Sequence, residues 1–177
     1  MAISATIYKS DINIADMDRH YYQSHELVIA QHPSETEFRM MIRLCAFILN
    51  ANEQLSFTKG LSTDDEPDIW QKSLSDEIEL WIDLGQPEEK RIRKACGRAK
   101  QVIIYTYNKR SADVWWQQLA PKLARFKNLS VIHLEADNIE ALVQKNMSLQ
   151  ASIQDADLYL SDNKHNINIT QTPWDLI

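Results

Sequence analysis

Residues 78–99 read IELWIDLGQPEEKRIRKACGRA and predict a strand that is followed directly by a helix. Over residues 78–84, apolar and other side chains alternate, as they do along a strand. The alternation sends the apolar residues to one face and Glu79, Trp81 and Asp83 to the other. Asp83 therefore lies at the end of a strand, on the same face as a tryptophan.

The second half of this stretch carries helix signals. Gly85 and Pro87 end the strand and begin a helix, since proline is favoured in the first helical turn. Glu88 and Glu89 then occupy the turn where the helix dipole favours acids, and basic residues follow. We expect this helix to run to about Ala99.

Toward the N-terminus, residues 5–15 and 22–30 carry alternating and β-branched apolar positions, separated by the polar residues 16–20, and predict a β-hairpin. Ser34 as N-cap and Glu37 three residues later predict a capping box and a helix of about four turns. Further strands are predicted at residues 55–61, 101–107, 129–134, 147–154, 158–160 and 167–170, and helices at 111–123 and 138–144. The order of elements indicates an α/β fold with a central mixed sheet flanked by helices.

Length and composition are typical of one globular domain spanning residues 1–177. The chain is 44% hydrophobic and contains two cysteines, Cys45 and Cys96, each among apolar neighbours in a helix-like segment. Neither a signal-peptide pattern nor a run of about 18 apolar residues is present. We expect a cytoplasmic protein with no membrane partner.

The formal net charge of −6 predicts no overall attraction to phosphate backbones, so any nucleic-acid contact needs a local basic patch. A run of basic residues can instead be the solvated face of a helix. The candidates are Lys90, Arg91, Arg93, Lys94, Arg98 and Lys100, and a second group of Lys122, Arg125 and Lys127.

Several common chemistries lack their motifs. The sequence contains no GxGxxG, GxxxxGK[ST], GxSxG, HExxH or CxxC pattern, and no histidine spacing marks a nucleophile's partner. Carboxylates remain as candidates.

A group of acids could meet near the end of the predicted strand. Asp64, Asp65 and Glu66 lie on the preceding extended segment, and antiparallel pairing with residues 78–84 would bring them toward Asp83. Two or three such carboxylates would form an oxygen-rich site suited to Mg²⁺ or Mn²⁺. A phosphodiester nuclease would also need a lysine, which Lys90 or Lys94 could supply from the following helix.

The chain resembles the YaeQ family over essentially its whole length. The resemblance rests on five segments in this order: ATIYK (5–9), HPSETEFRMMIRL (32–44), LSFTKGLSTDDEPDIW (55–70), IELWIDLGQPEEKRIRKACGRA (78–99) and VIIYTYN (102–108). The resemblance implies that this is a bacterial protein with a variant of the PD-(D/E)xK nuclease fold. It implies the fold more firmly than any reaction.

The resemblance also implies site residues. The acids of the nuclease motif carry over to Glu35, to Asp65 or Glu66, and to Asp83. The resemblance thus implies Asp65, Glu66 and Asp83 as the ligands of Mg²⁺ or Mn²⁺. Gly85 stands where the motif has its lysine, so a functional lysine would come from the helix, as Lys94 or Lys90.

Each of these residues also has a structural interpretation. Residues 64–68 could form a solvated turn around Pro67, and Glu35 could pair with Arg39 at i+4 in the first helical turn. Trp81 could stack on a base or pack under a crossing helix.

Three functions are consistent with these residues. One is a Mg²⁺-dependent nuclease with Glu35, Asp65, Asp83 and Lys94 as its catalytic residues. Another is a non-catalytic member of the same fold that serves as an interaction module for protein or nucleic acid. In the third, the acidic cluster docks a basic partner without metal.

Overall fold

The computed structural model describes residues 4–58 and 65–175, and within them the chain forms ten strands, three α-helices and one 3-10 helix. This content confirms a mixed α/β protein. The helices are α1 (Glu37–Leu49), α2 (Glu89–Arg98) and α3 (Lys109–Leu123), with the 3-10 helix at Ile139–Leu142. The strands are β1 (Thr6–Asp16), β2 (Tyr21–Gln31), β3 (Leu55–Phe57), β4 (Ile69–Lys72), β5 (Ile78–Leu84), β6 (Ala99–Thr106), β7 (Leu129–Ala136), β8 (Asn146–Gln154), β9 (Asp157–Ser161) and β10 (Asn166–Pro173).

The chain divides into two compact units. The described residues of unit 1 fall within Met1–Leu49 and Ala136–Thr170, and those of unit 2 fall within Asn50–Glu135 and Gln171–Ile177. Each unit therefore contains segments that are distant in sequence.

Unit 1 is built on the predicted hairpin, which is confirmed. The strands β1 and β2 pair antiparallel along their whole length, from Thr6 with Gln31 to Asp16 with Tyr21. Strand β8 joins the other edge of β1 in parallel, and β9 pairs antiparallel with both β8 and β10. Asp16 closes the hairpin turn by accepting hydrogen bonds from two backbone N–H groups of that turn.

Helix α1 begins later than the capping box predicted. The N-cap is Thr36, whose hydroxyl accepts a hydrogen bond from the Arg39 N–H at 3.1 Å, whereas the Ser34 hydroxyl bonds with the His32 ring. The prediction of Ser34 as the N-cap is therefore wrong, because the histidine competes for its hydroxyl. Residues 40–49 are all buried, which is a wider buried surface than one apolar stripe.

Unit 2 contains a mixed sheet in the order β7-β6-β5-β4-β3. Strands β5, β6 and β7 are parallel, and β3 and β4 add antiparallel pairs beside β5. Helices α2 and α3 pack on the face that carries Trp81, which is 1% exposed and lies in a core with Ile92 and Trp115. Trp81 therefore packs under a helix, as one of the two interpretations predicted.

Most predicted elements are confirmed, with small shifts at their ends. The strand at residues 78–84 has the predicted bounds, whereas the strand predicted for 55–61 ends at Phe57, and residues 59–61 lie outside the described part. The helix predicted at 138–144 is a single 3-10 turn.

The two cysteines are free thiols, and burial raises the pKa of both, that of Cys96 to about 11. In the part of the chain that the structure describes, no helix is long and apolar enough to cross a membrane.

Candidate functional site

Asp83 lies at the end of β5, and both of its carboxylate oxygens are hydrogen-bonded. Its Oδ2 accepts from Trp81 Nε1 at 3.0 Å and from Arg91 Nε at 2.9 Å, and its Oδ1 accepts from Arg91 Nη2 at 3.0 Å. The Asp83 side chain is 4% exposed and that of Arg91 is 27% exposed. This bidentate pair neutralises a buried charge, which would otherwise be costly to desolvate.

The antiparallel pairing predicted for this region is present, but it places a different acid beside Asp83. Ile69 pairs with Ile82, so Asp68 stands opposite Asp83 in the register. Asp68 is also buried, and its Oδ2 accepts the Leu84 N–H at 2.9 Å. Asp68 was not predicted as a site residue, although its position directly before the apolar pair of β4 is a usable signal.

Asp65 and Glu66 lie in the loop before β4 and contact α2. Lys94 Nζ donates to Asp65 Oδ1 at 2.8 Å, and Arg98 Nη1 donates to the Asp65 carbonyl at 2.8 Å. The hydrogen bond from Lys94 and the charges of Lys94 and Arg98 lower the pKa of Asp65 below its usual range. Arg91 Nη2 donates to the Glu66 carbonyl at 2.9 Å, while Asp64 lies outside the described residues.

Four of the predicted site residues thus lie around α2 in unit 2, and Glu35 lies in unit 1. The Glu35 side chain is 2% exposed and forms ion pairs with Arg39 at 2.6 Å and with Arg43 at 2.8 Å. The pair with Arg39 confirms the i+4 interpretation. Arg43 was not anticipated, because its eight-residue separation from Glu35 has no local signature.

The outer surface of α2 borders a cationic cleft, which we define by its lining residues Glu88, Lys90, Arg91 and Lys94. Its volume is about 300 Å³. Within residues 4–58 and 65–175, the Lys90 ammonium has no ion-pair partner, whereas Lys94 binds Asp65. The cleft therefore combines three cations with one acid.

The described carboxylates do not form a donor set for Mg²⁺ or Mn²⁺ as they are arranged. Among residues 4–58 and 65–175, no three His, Cys, Asp or Glu side chains are grouped to hold a metal ion. Such ions need several oxygen ligands, and Asp83 already binds a guanidinium while Asp65 binds an ammonium. Metal binding at these residues would require Arg91 and Lys94 to move.

The tryptophans of α3 contribute mainly to the core. Trp115 and Trp116 are each 9% exposed, and Trp115 Nε1 donates to the Pro87 carbonyl at 2.9 Å. That hydrogen bond connects α3 with the loop that precedes α2.

Comparison with known proteins identifies relatives that match nearly the whole chain. A family model described as "YaeQ protein" matches residues 1–171. "Uncharacterized protein YaeQ" of Escherichia coli K12 is 47% identical over 177 residues, which cover 98% of both chains, and the Salmonella typhi protein of the same name is 48% identical.

Two solved structures have the same fold. The YaeQ protein from Xanthomonas axonopodis pv. citri superposes with a TM-score of 0.93 at 40% identity, covering 98% of this chain and 100% of that chain. The YaeQ protein from Pseudomonas syringae has a TM-score of 0.91 at 33% identity, covering 97% and 96% of the two chains.

Proposed function

The chain belongs to the YaeQ family, and on that premise we propose that it is a non-catalytic, nuclease-like module that binds the phosphate backbone of nucleic acid in the cationic cleft. The observation that carries this proposal is the convergence of Lys90, Arg91 and Lys94 on one cavity of about 300 Å³. Guanidinium and ammonium groups are the usual partners of phosphate oxygens.

The net charge of −6 does not oppose such local binding. At about 0.1 M salt, charges are screened beyond about 10 Å, so a phosphate in the cleft interacts mainly with nearby charges. These are the three cations of the lining, Glu88, and the carboxylates that pair with Arg91 and Lys94. Among the described residues, Lys90 is the cation of the lining without an ion-pair partner, so a phosphate bound to it would break no ion pair there. Affinity should therefore be moderate and strongly dependent on salt.

The arrangement of β4, β5, α2 and β6 supports placing the fold among variants of the PD-(D/E)xK nucleases. An antiparallel strand pair carries acids at its end, and a helix with basic residues leads into a parallel strand. The non-catalytic role is supported by Asp83, whose oxygens are occupied by Arg91 and Trp81. It is also supported by Gly85, which stands in place of the motif lysine.

Metal-dependent cleavage of nucleic acid is a second candidate, and one contact favours it. Lys94 and Asp65, the lysine and one of the acids expected for a nuclease, meet at 2.8 Å beside the cleft. In this alternative the carboxylates would bind Mg²⁺ or Mn²⁺ only after Arg91 and Lys94 have moved.

Binding can be tested by fluorescence anisotropy with labelled single- and double-stranded oligonucleotides over a range of salt concentrations. Lys90→Gln should weaken binding and reduce the salt slope by about 0.7 to 0.9, the value for one lost phosphate contact. Lys164→Gln, an equal charge change in the exposed turn before β10, is the matched control and should have no such effect. Equal effects of both substitutions would contradict the cationic cleft as the binding site.

The same samples distinguish the two candidates when Mg²⁺ or Mn²⁺ is added and the products are separated on a gel. Binding without cleavage supports the non-catalytic module. Cleavage that is lost in Asp65→Asn would instead support the nuclease, and the exposed position of Asp65 means that this variant should fold normally.

A further inference from the structure

A second cavity, of about 580 Å³, lies beside α3 in unit 2. We define this amide-lined cavity by its lining residues Gln86, Asn108, Arg110, Ser111, Val114, Trp115 and Gln118. Gln86 follows β5 and Asn108 follows β6. Because these two strands are parallel, their carboxyl ends meet at one edge of the sheet, where ligands of open α/β sheets commonly bind.

The lining combines an apolar surface with groups that both donate and accept hydrogen bonds. Val114, which is 56% exposed, and Trp115, which is 9% exposed, both belong to the lining. Gln86, Asn108 and Gln118 contribute carboxamides, and among the described residues of the lining Arg110 is the one that carries a charge. A planar heterocycle with adjacent donors and acceptors fits this chemistry, because a carboxamide can pair with both kinds of group on the edge of a base.

Local hydrogen bonds hold this lining in place. Gln86 Nε2 donates to Ser111 Oγ at 2.6 Å, which connects the loop after β5 with the first turn of α3. Asn108 caps α3 by accepting the Ser111 N–H. The bond from Trp115 to the Pro87 carbonyl fixes the indole against the same loop.

The two cavities flank one short loop. Gln86 lines the amide-lined cavity and Glu88 lines the cationic cleft, so only Pro87 separates them in sequence. In a nucleic-acid strand, each sugar carries one planar base and is joined to an anionic phosphate, so a base and a phosphate are close neighbours. The base of one nucleotide and a neighbouring phosphate can therefore occupy the two cavities together.

We infer that the ligand is single-stranded nucleic acid, with an unpaired base in the amide-lined cavity and an adjacent phosphate in the cationic cleft. The inference rests on the proposed function and narrows its ligand class. In a duplex, the Watson–Crick edges are paired and the faces are stacked, so a base would first have to leave the helix.

The experiment compares three labelled probes in anisotropy titrations: a normal single strand, an abasic strand with the same number of phosphates, and a duplex. The single strand has about 12 nucleotides, which lies within the site sizes of single-strand binders. The normal single strand should bind about fivefold or more tighter than the abasic strand, the factor expected for one stacked base. Gln118→Leu should reduce this preference and leave the affinity for the abasic strand unchanged.

Gln117→Leu is the matched control, because Gln117 is exposed on α3 but does not line the cavity. Equal binding of normal and abasic strands, or tighter binding of the duplex, would overturn the inference and leave phosphate binding in place. If Gln117→Leu and Gln118→Leu reduce the preference for the normal strand equally, the base does not lie in the amide-lined cavity. If neither strand binds, both the proposed function and this inference fail.

Discussion

Replacing Asp83 by asparagine keeps the shape of the side chain and removes the charge that Arg91 neutralises. The carboxylate accepts two hydrogen bonds from Arg91 and one from Trp81 while it is almost fully buried. If this carboxylate is a structural anchor, as the contacts indicate, its loss must reduce the stability of unit 2. A carboxylate retained mainly for chemistry would cost stability instead of adding to it.

The contacts and burial of Asp83 determine how much stability Asp83→Asn should lose. Removing one partner of a buried ion pair costs about 3–5 kcal/mol, and a hydrogen bond to a charged group contributes about 1.5–3 kcal/mol. Because Arg91 is 27% exposed, water recovers part of its solvation, and we expect Asp83→Asn to lower the free energy of unfolding by about 2–3 kcal/mol. The midpoint of urea unfolding should fall by about 1 M.

Urea unfolding followed by tryptophan fluorescence reports on unit 2, because all five tryptophans lie in its segments. Arg91→Met and the double variant complete a thermodynamic cycle, whose coupling energy should reach about 1–2 kcal/mol for residues in direct contact. Asp65→Asn, at the exposed end of the neighbouring ion pair, is the control and should change stability little. A loss below about 0.5 kcal/mol for Asp83→Asn would refute the structural role of this carboxylate.

Two further predictions concern the cap of α1 and the buried histidine of unit 2. Thr36→Ala should destabilise unit 1 by about 1 kcal/mol, because α1 loses its N-cap. Ser34→Ala should lower the free energy of unfolding clearly less. Equal losses for the two variants in thermal or urea unfolding would contradict Thr36 as the cap. Burial, and then the charge of Lys109, lowers the pKa of His133 in the folded state, so the unfolded state takes up this proton first as the pH falls. The contribution of His133 to the free energy of unfolding is complete above the usual histidine pKa of about 6.5. It is lost as the pH falls toward the pKa of His133 in the folded state. In His133→Gln, the free energy of unfolding should therefore depend less on pH in this range, as urea unfolding at several pH values would show.

Local patterns predicted much of the fold. The period-2 alternation of β5 and of the hairpin strands determines which side chains share a face, whatever the rest of the chain does. Gly85 and Pro87 mark the change from β5 to α2 for equally local reasons, since glycine adopts the positive φ of 94° found there. Where two hydroxyl residues competed for the cap of α1, pattern alone selected Ser34, because the competing bond with His32 has no sequence signature.

The candidate site was predicted less completely. Asp65, Asp83 and Lys94 were selected as acids and a cation near one strand and one helix, and they do lie around α2. Their partners were not anticipated: Arg91 binds Asp83 across eight residues, and Asp68 reaches the Leu84 N–H across sixteen. Each of these contacts joins β5 to a residue outside that strand, so the periodicity within a single helix or strand does not predict it.

The sequence by itself determined the α/β class, the hairpin, the strand–helix order around Asp83 and the family. The class, the hairpin and the strand–helix order follow from backbone preferences and apolar periodicity, which act between residues that are close along the chain. The family follows from the resemblance of five sequence segments. Only the tertiary structure decided which cation neutralises Asp83, which acid stands opposite it, and that the cationic cleft and the amide-lined cavity flank one loop. Those relations depend on how α2 and α3 lie on the sheet, because ion pairs and cavities form between side chains that folding brings together from distant positions.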